Sequence, residues 1–350
     1  MGSKTIMPDL SLQKLPPRWA RFCLNISSFV SRELGLSLSG STILLSVSRG
    51  VDSTALLLWA RLTLPRLDTK LKAVHLNHGL RPEADAEAAS LHSLCQDLHI
   101  DLSQGRTNVS TYARRRNLGL EEAGRTLRYR FLSRTAHKLG AGFVLTAHHL
   151  NDLAEDMLMR QIRGTGWPAL AGMPAWNPAS RILRPFLLTP KQDLADFVQA
   201  CGHTWQEDSS NQNLYFTRNR IRQRILPLLV QENPSFLHQT ADLWRQARVD
   251  RQYWDQDLQE HLACELTLPQ GILLPAQRLN RLHPAQRLRW YRNVLDRLGP
   301  GQVLANTLFQ VDRAWEMRTW SKRFQFPGNK EIRITPQGMV CQGSPQPPAR

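Results

Sequence analysis

Leu44-Leu45-Ser46-Val47-Ser48-Arg49-Gly50-Val51-Asp52-Ser53-Thr54 is the stretch on which the fold turns. A short apolar run leads into a tight Ser/Gly turn. An acid and two hydroxyls follow, and residues 55–62 continue as an apolar helical run. That order predicts strand, phosphate-cradling loop and helix, with the loop at the C-terminal edge of a parallel sheet. Phosphates need backbone N–H groups pointing inward, which the small residues of 48–53 permit. Asp52 is placed to hold a magnesium ion bridging phosphate oxygens, and Ser48, Ser53 and Thr54 offer hydroxyls. The spacing is not that of a Walker loop, which ends Gly-Lys-Ser/Thr. An ordinary βα turn with Asp52 and Ser53 capping the helix explains the same residues, and the stretch alone leaves both readings open. Arg49 stands where such a loop is expected to use a second glycine.

Outward from this loop, strands and helices alternate. Residues 18–36 read as an amphipathic helix ending at Gly35, and 43–48 and 54–62 as the strand and helix of the loop. Residues 73–77 form a short strand opening into His78-Gly79-Leu80-Arg81-Pro82. Residues 84–98 are helical, and 121–139 form a helix with Ala123, Leu127, Phe131 and Ala136 as its core stripe. Residues 143–146 form a strand running into Ala147-His148-His149, and 151–163 are helical. A strand at 182–186 and a helix at 191–201 follow. This alternation predicts a parallel α/β sheet to about residue 205. Residues 217–262 and 276–297 are then helical, and 331–335 with 338–341 form a small hairpin. The expected domains are 1–220 and 221–350.

The 350 residues are 41% hydrophobic, which marks a globular chain. The formal net charge of +16 favours a polyanion, nucleic acid ahead of an anionic membrane. No run approaches the ~18 apolar residues of a membrane span, and residues 1–15 show no secretory h-region. Cys23, Cys95, Cys201, Cys264 and Cys341 are far apart and form no C-x-x-C pair. Neither a disulfide framework nor a zinc or iron–sulfur site is indicated, and a reducing cytoplasm fits best.

Two further clusters carry chemistry. In His148-His149-Leu150-Asn151-Asp152-Leu153-Ala154-Glu155-Asp156, Asp152 and Glu155 lie three apart and share a helix face. They suit a metal or a reacting amine. A solvated acidic first turn is the alternative. Adjacent histidines do not face the same way, which argues against zinc. In Thr217-Arg218-Asn219-Arg220-Ile221-Arg222-Gln223-Arg224, arginine alternates with other residues after the turn Asp208-Ser209-Ser210-Asn211. The guanidinium is a planar bidentate donor, so this ridge suits phosphates; a solvated helix face is the alternative. Arg114, Arg115, Arg116, Arg125, Arg128, Arg130 and Arg134 form another basic zone. Trp244, Trp254, Trp290, Trp315 and Trp320 are placed to stack bases or to pack a core.

Taken in order, these clusters resemble the tRNA(Ile)-lysidine synthetases of the N-type ATP-pyrophosphatase, or PP-loop, group. Ser48-Arg49-Gly50-Val51-Asp52-Ser53 is similar to the family's SGGxDS, and residues 75–81 to its second motif. Residues 121–131 are similar to its arginine-rich helix, 147–155 to AHHxDDxxET, and 208–211 with 218–222 to DxSN…RNxIR. The resemblance spans roughly 40–230. It implies a parallel-sheet α/β ATP-pyrophosphatase domain, adenine nucleotide alpha hydrolase-like. A smaller, mainly helical tRNA-binding domain with a terminal hairpin would follow.

The implied reaction has two steps. ATP adenylates the C2 oxygen of the wobble cytidine of an isoleucine tRNA with a CAU anticodon, releasing pyrophosphate. Free L-lysine then attacks C2 and expels AMP. The implied catalytic residues are Asp52, Asp152 and Glu155, the last two orienting the lysine and accepting its proton. ATP would be bound by Ser48, Arg49, Gly50, Val51, Asp52, Ser53, His75, Asn77 and His148, with Mg²⁺ on Asp52. The tRNA and phosphate contacts would be Arg125, Arg128, Arg218, Arg220 and Arg222. No membrane partner is implied, and a homodimer is allowed.

Three residues depart from the pattern: Arg49 for glycine, Asn151 for the first aspartate, and Asp156 for threonine. A left-handed backbone at Arg49 would cost roughly 1–2 kcal/mol. Its side chain would either help bind pyrophosphate or fill the ATP site. The alternatives are therefore a weak or inactive RNA-binding relative and a PP-loop tRNA thiolase.

Overall fold

The computed structural model describes residues 10–77, 84–206, 214–269 and 271–343. The loop at 78–83 and the turn at 207–213, both quoted above, lie outside the described residues, as do 1–9 and 344–350. The chain divides into two compact units. Residues 1–165 and 169–244 form one; 166–168 and 245–350 form the other.

The first unit is built on a six-stranded sheet in the order β3-β2-β1-β4-β6-β5. Its strands are β1 (Thr42–Ser46), β2 (Lys70–Asn77), β3 (Asp101–Arg106), β4 (Phe143–Leu145), β5 (Trp176–Asn177) and β6 (Ile182–Leu183). All pair in parallel except β5, which runs antiparallel to β6. Ile43, Leu44 and Leu45 are fully buried, as expected of a central parallel strand covered on both faces. The helices are α1 (Pro17–Ser28), α2 (Val51–Thr63), α3 (Ala84–Asp97), α4 (Val109–Arg116), α5 (Leu120–Lys138), α6 (Leu150–Ile162) and α7 (Lys191–Ala200). The helix expected over 18–36 is α1 followed by a π turn, Phe29–Glu33. On α5, Ala123 and Ala136 are buried with Leu132, while Leu127 and Phe131 are only partly covered.

The strand order places β1 between β2 and β4. Connections leave β1 toward one side and reach β4 on the other, so the β1–α2 and β4–α6 loops open side by side at a topological switch point. Register confirms the adjacency, with Leu45 opposite Leu145.

Residues 217–244 differ from the expected domain limit. They comprise α8 (Thr217–Arg220), a π turn (Ile221–Ile225), α9 (Leu226–Glu232) and the start of α10 (Phe236–Leu262). Ala241 and Trp244 share a core with Leu150, Leu153 and Leu187, so 221–244 belong with the first unit. The two compact units meet at 244/245.

The second unit holds a five-stranded antiparallel sheet, β7-β8-β11-β10-β9. Its strands are β7 (Leu266–Leu268), β8 (Gly271–Pro275), β9 (Arg323–Phe326), β10 (Lys330–Thr335) and β11 (Gly338–Gly343). The expected hairpin is β10–β11, the centre of this sheet rather than an isolated ribbon. At Gly338, φ is +145° and a Cβ would lie 2.0 Å from the Leu274 carbonyl oxygen, so the turn requires glycine. Helices α11 (Ala276–Leu279), α12 (Pro284–Leu298) and α13 (Ala305–Glu316) complete the unit. Trp290 and Trp315 are buried in its core. Trp244 is core in the first unit, whereas Trp320 is partly exposed and Trp254 lies under the Arg289 guanidinium at 3.7 Å.

Candidate active site

The β1–α2 loop forms as its sequence predicts. Val47 donates its N–H to the Val74 carbonyl, and His75 Nδ1 lies 3.0 Å from the Val47 carbonyl, tying the loop's start to β2. Gly50 is the N-cap of α2 without a side-chain cap. Ser48 and Ser53 join their hydroxyls at 3.0 Å. Asp52 and Ser53 therefore do not act as caps; they stand on the first turn of α2. Among the described residues the buried Asp52 Oδ1 has no hydrogen-bond partner, and an orphaned carboxylate oxygen on the first turn of a helix that follows a strand and a tight loop fits a cation with phosphate ligands. Among the described residues no group of three or more His, Cys, Asp or Glu is arranged to hold a metal.

Arg49 resolves differently from the sequence expectation. Its φ is not positive, so no left-handed strain arises, and Gly50 has φ −69°. The Arg49 carbonyl accepts from Gln206 N–H at 3.0 Å. Its half-buried guanidinium lies near Cys95 and His203; burial lowers its pKa, and the Cys95 thiol opposes that. The Nε has no partner among the described residues. The side chain therefore runs toward α3 and the segment after α7.

The β4–α6 loop supplies the facing half of the site. His149 is the N-cap of α6, in a reciprocal capping box with Asp152. Asp152 and Glu155 lie on one face of α6, as their spacing implies, and Glu155 is 1% exposed. Both are engaged by arginines. Arg218 donates from Nη2 to Asp152 Oδ1 and from Nε to Glu155 Oε2, each at 2.8 Å. Arg222 donates from Nε to Glu155 Oε1 at 2.6 Å and from Nη2 to Asp152 Oδ1 at 3.2 Å. Residues 218 and 222 are four apart, so one helical turn carries both inward. Arg220 points elsewhere and donates to the Leu214 and Tyr215 carbonyls and to Thr217 Oγ1. The basic ridge is thus not one free surface: two of its guanidiniums are spent on carboxylates and a third on its own turn.

Burial alone would raise the Asp152 pKa. His149, His148, Arg218 and Arg222 outweigh burial and hold its carboxyl well below the usual carboxylate range. For His149, burial would lower the pKa, and the Asp152 and Asp52 carboxylates reverse that into a net rise. His148 goes the other way. Burial lowers it to about 3 against the pull of Asp152, and Arg184, Arg218 and Arg128 add to the drop. Its Nδ1 pairs with Thr146 Oγ1 at 2.9 Å. His148 is a neutral imidazole in a cationic surround.

Asn77 is buried at the end of β2, beside His75. On α5, Arg125 and Arg128 are exposed, and Arg125 stacks over Tyr129 at 5.4 Å. The sequence reading missed Arg184, which is 6% exposed and follows β6 directly. It donates from Nη1 to the Pro174 carbonyl at 2.8 Å and lies within reach of the Tyr129 hydroxyl. Its position just after an apolar strand pair was the available signal.

The PP-loop domain family model matches residues 23–229. The tRNA(Ile)-lysidine synthase of Nitratidesulfovibrio vulgaris is 41% identical over 317 residues, which are 86% of this chain and 91% of that protein. The chain belongs to the tRNA(Ile)-lysidine synthase family. The synthase of Enterococcus faecalis is 36% identical over 73% of this chain, and that match spans 55% of the longer relative. A U34-tRNA thiolase from Methanococcus maripaludis superposes with a TM-score of 0.54 at 13% identity, over 66% of this chain and 79% of that one; this likeness shows the shared fold alone.

Within the lysidine synthase pattern, the two remaining departures have local explanations. Asn151 Oδ1 accepts the Lys191 backbone N–H at 3.0 Å, at the start of α7. Asp156 Oδ2 accepts from Arg160 Nε at 2.8 Å, one turn along α6. Neither substitution removes a partner of Arg218 or Arg222.

Proposed function

We propose that this chain ligates free L-lysine to C2 of the wobble cytidine of an isoleucine tRNA with a CAU anticodon, consuming ATP and releasing pyrophosphate and AMP. One observation supports this most strongly. The Ser48–Ser53 loop, with its orphaned Asp52 oxygen, faces the Asp152–Glu155–Arg218–Arg222 cluster across two adjacent strand ends. A nucleotide and a charged amine thus have neighbouring places.

ATP phosphates would lie on the loop N–H groups and the Ser48 and Ser53 hydroxyls. His75 and Asn77 line the β2 side. Asp52 would hold Mg²⁺, which when bound offsets charge building on the α-phosphate. Adenylation turns the C2 oxygen into a leaving group, and the lysine amine then displaces AMP. Asp152 is a poor proton acceptor because its carboxyl stays ionised far below neutral pH. We assign Asp152 and Glu155 the task of orienting. Their charges are cancelled by Arg218 and Arg222. A guanidinium that turns to a bound phosphate leaves a carboxylate edge for the lysine ammonium, so the two substrates favour each other's binding.

Arg125 and Arg128, exposed on α5, and the basic surface behind the +16 charge are the proposed tRNA contacts. The second unit is assigned a tRNA-binding role on the same ground. No helix among the described residues is long and apolar enough to cross a membrane, and a cytoplasmic site of action is proposed. The Arg49 guanidinium lies by Cys95 and His203, which supports an active ATP site over the inactive-relative reading. The test is ATP–pyrophosphate exchange with the tRNA, comparing the parent with Asp52→Ala. Tight tRNA binding with no AMP formation is expected of the variant, and normal turnover would refute the role of Asp52.

A further inference from the structure

His149 sits where β4 passes into α6, and its two ring nitrogens face different partners. Nδ1 accepts the Asp152 backbone N–H at 3.3 Å, while Asp152 Oδ2 accepts the His149 backbone N–H at 3.1 Å. An accepting Nδ1 leaves the ring proton on Nε2. Nε2 lies 3.5 Å from Asp52 Oδ2 and 3.4 Å from Asp152 Oδ2. The residue is 3% exposed. Capping accounts for Nδ1 only. Serine, threonine, aspartate and asparagine are the usual caps and satisfy the same N–H with a shorter side chain. A histidine adds a second donor about two bonds farther out, and here that donor reaches the loop of the neighbouring strand.

Asp52 is the other half of the contact. Its Oδ2 faces the imidazole, whereas its buried Oδ1 has no partner among the described residues. A carboxylate on the first turn of a helix has two free torsions, and a tether on one oxygen fixes where the other points. We propose that His149 is a positioning residue: its Nε2–H holds Asp52 Oδ2, directs the vacant Oδ1 at the cation of a magnesium–nucleotide complex, and ties that carboxylate to the Asp152–Glu155–Arg218–Arg222 cluster. The inference rests on the nucleotide reading above. It gives the two halves of the site a common joint, because Asp152 shares both His149 and the two arginines. The 3.5 Å contact is long, as contacts that tighten in the loaded complex commonly are.

Two substitutions separate the two nitrogens. His149→Asn keeps an acceptor at the Nδ1 position and loses the reach to Asp52. His149→Gln keeps an N–H near the Nε2 position and loses the cap. Each is compared with the parent by thermal unfolding without ligand and by calorimetric ATP binding across a magnesium titration. The asparagine variant is expected to unfold at the parent temperature yet need about tenfold more Mg²⁺ for half-maximal ATP binding, the scale of one hydrogen bond to a charged group. The glutamine variant is expected to unfold earlier and to keep a magnesium response close to that of the parent. A parent-like magnesium response in His149→Asn overturns the inference alone. Absence of magnesium-dependent ATP binding in the parent overturns the nucleotide reading along with it.

Discussion

Arg222 closes on Glu155 with two contacts, Nε to Oε1 at 2.6 Å and Nη2 to Oε2 at 3.0 Å, across 67 residues of chain. The pair joins the π turn after α8 to the middle of α6, and Glu155 is 1% exposed. A bidentate guanidinium–carboxylate pair at that depth fixes geometry more than it adds stability, because desolvation offsets much of the attraction.

Removing one partner exposes that cost. Glu155→Gln leaves Arg218 and Arg222 short of an anion, and it is expected to destabilise the first unit by about 3 kcal/mol. Glu155→Gln with Arg222→Met is expected to recover part of the loss. Urea unfolding of both variants checks this. An additive double variant would show that the two residues are not coupled.

Acid should release the same cluster. The folded-state pKa of Asp152 is depressed, so its contribution is fully present above the ordinary aspartate value of 3.8 and fades as pH falls below it. The stability gap between the parent and Asp152→Asn is therefore expected to narrow steadily below pH 4. A gap that does not change down to pH 2.5 would contradict the assignment.

Arg49→Gly tests the loop. Because Arg49 is free of left-handed strain and its guanidinium lies toward Cys95 and His203, the parent and the variant are expected to agree within about tenfold in kcat/KM for ATP, or ~1.4 kcal/mol. Absent ATP binding in the parent, restored by the glycine, would favour the inactive-relative reading instead.

The sequence carried the first unit well and the second poorly, for physical reasons. β1 and β4 are buried on both faces, and β2 is so at Ala73 and Val74, so their apolar runs stand out between helices of 3.6 period. β3 is a polar edge strand, Asp-Leu-Ser-Gln-Gly-Arg, and has no such run to betray it. β7, β8 and β9 are short, the β7–β8 pair lies far from β9 in sequence, and only the pairing of β8 and β9 with the visible hairpin makes a sheet. At the site, the spacing of Asp152 and Glu155 announced a shared face. It did not announce that Arg218 and Arg222 would fill that face while Arg220 turned back on its own segment. Arg218 and Arg222 are one helical turn apart, and only the packing of that turn against α6 decides which arginines meet the carboxylates. His149 was legible as a motif residue, but its contact with Asp52 arises only from the adjacency of β1 and β4.

Binding of tRNA should be electrostatic. With a net charge of +16, the logarithm of affinity is expected to fall linearly with the logarithm of salt, by about 0.7 to 0.9 for each phosphate neutralised. Filter binding between 50 and 200 mM salt measures it, and a flat response would remove the proposed basic contact surface.

Lysine transfer itself is the most direct test. Unmodified isoleucine tRNA with a CAU anticodon is incubated with the protein, ATP, Mg²⁺ and isotopically labelled lysine, and the digested nucleosides are read by mass spectrometry. The account predicts label on the wobble cytidine, dependent on ATP and matched mole for mole by AMP. Cytidine that stays unlabelled while AMP accumulates, or a sulfur-containing nucleoside in its place, would contradict it.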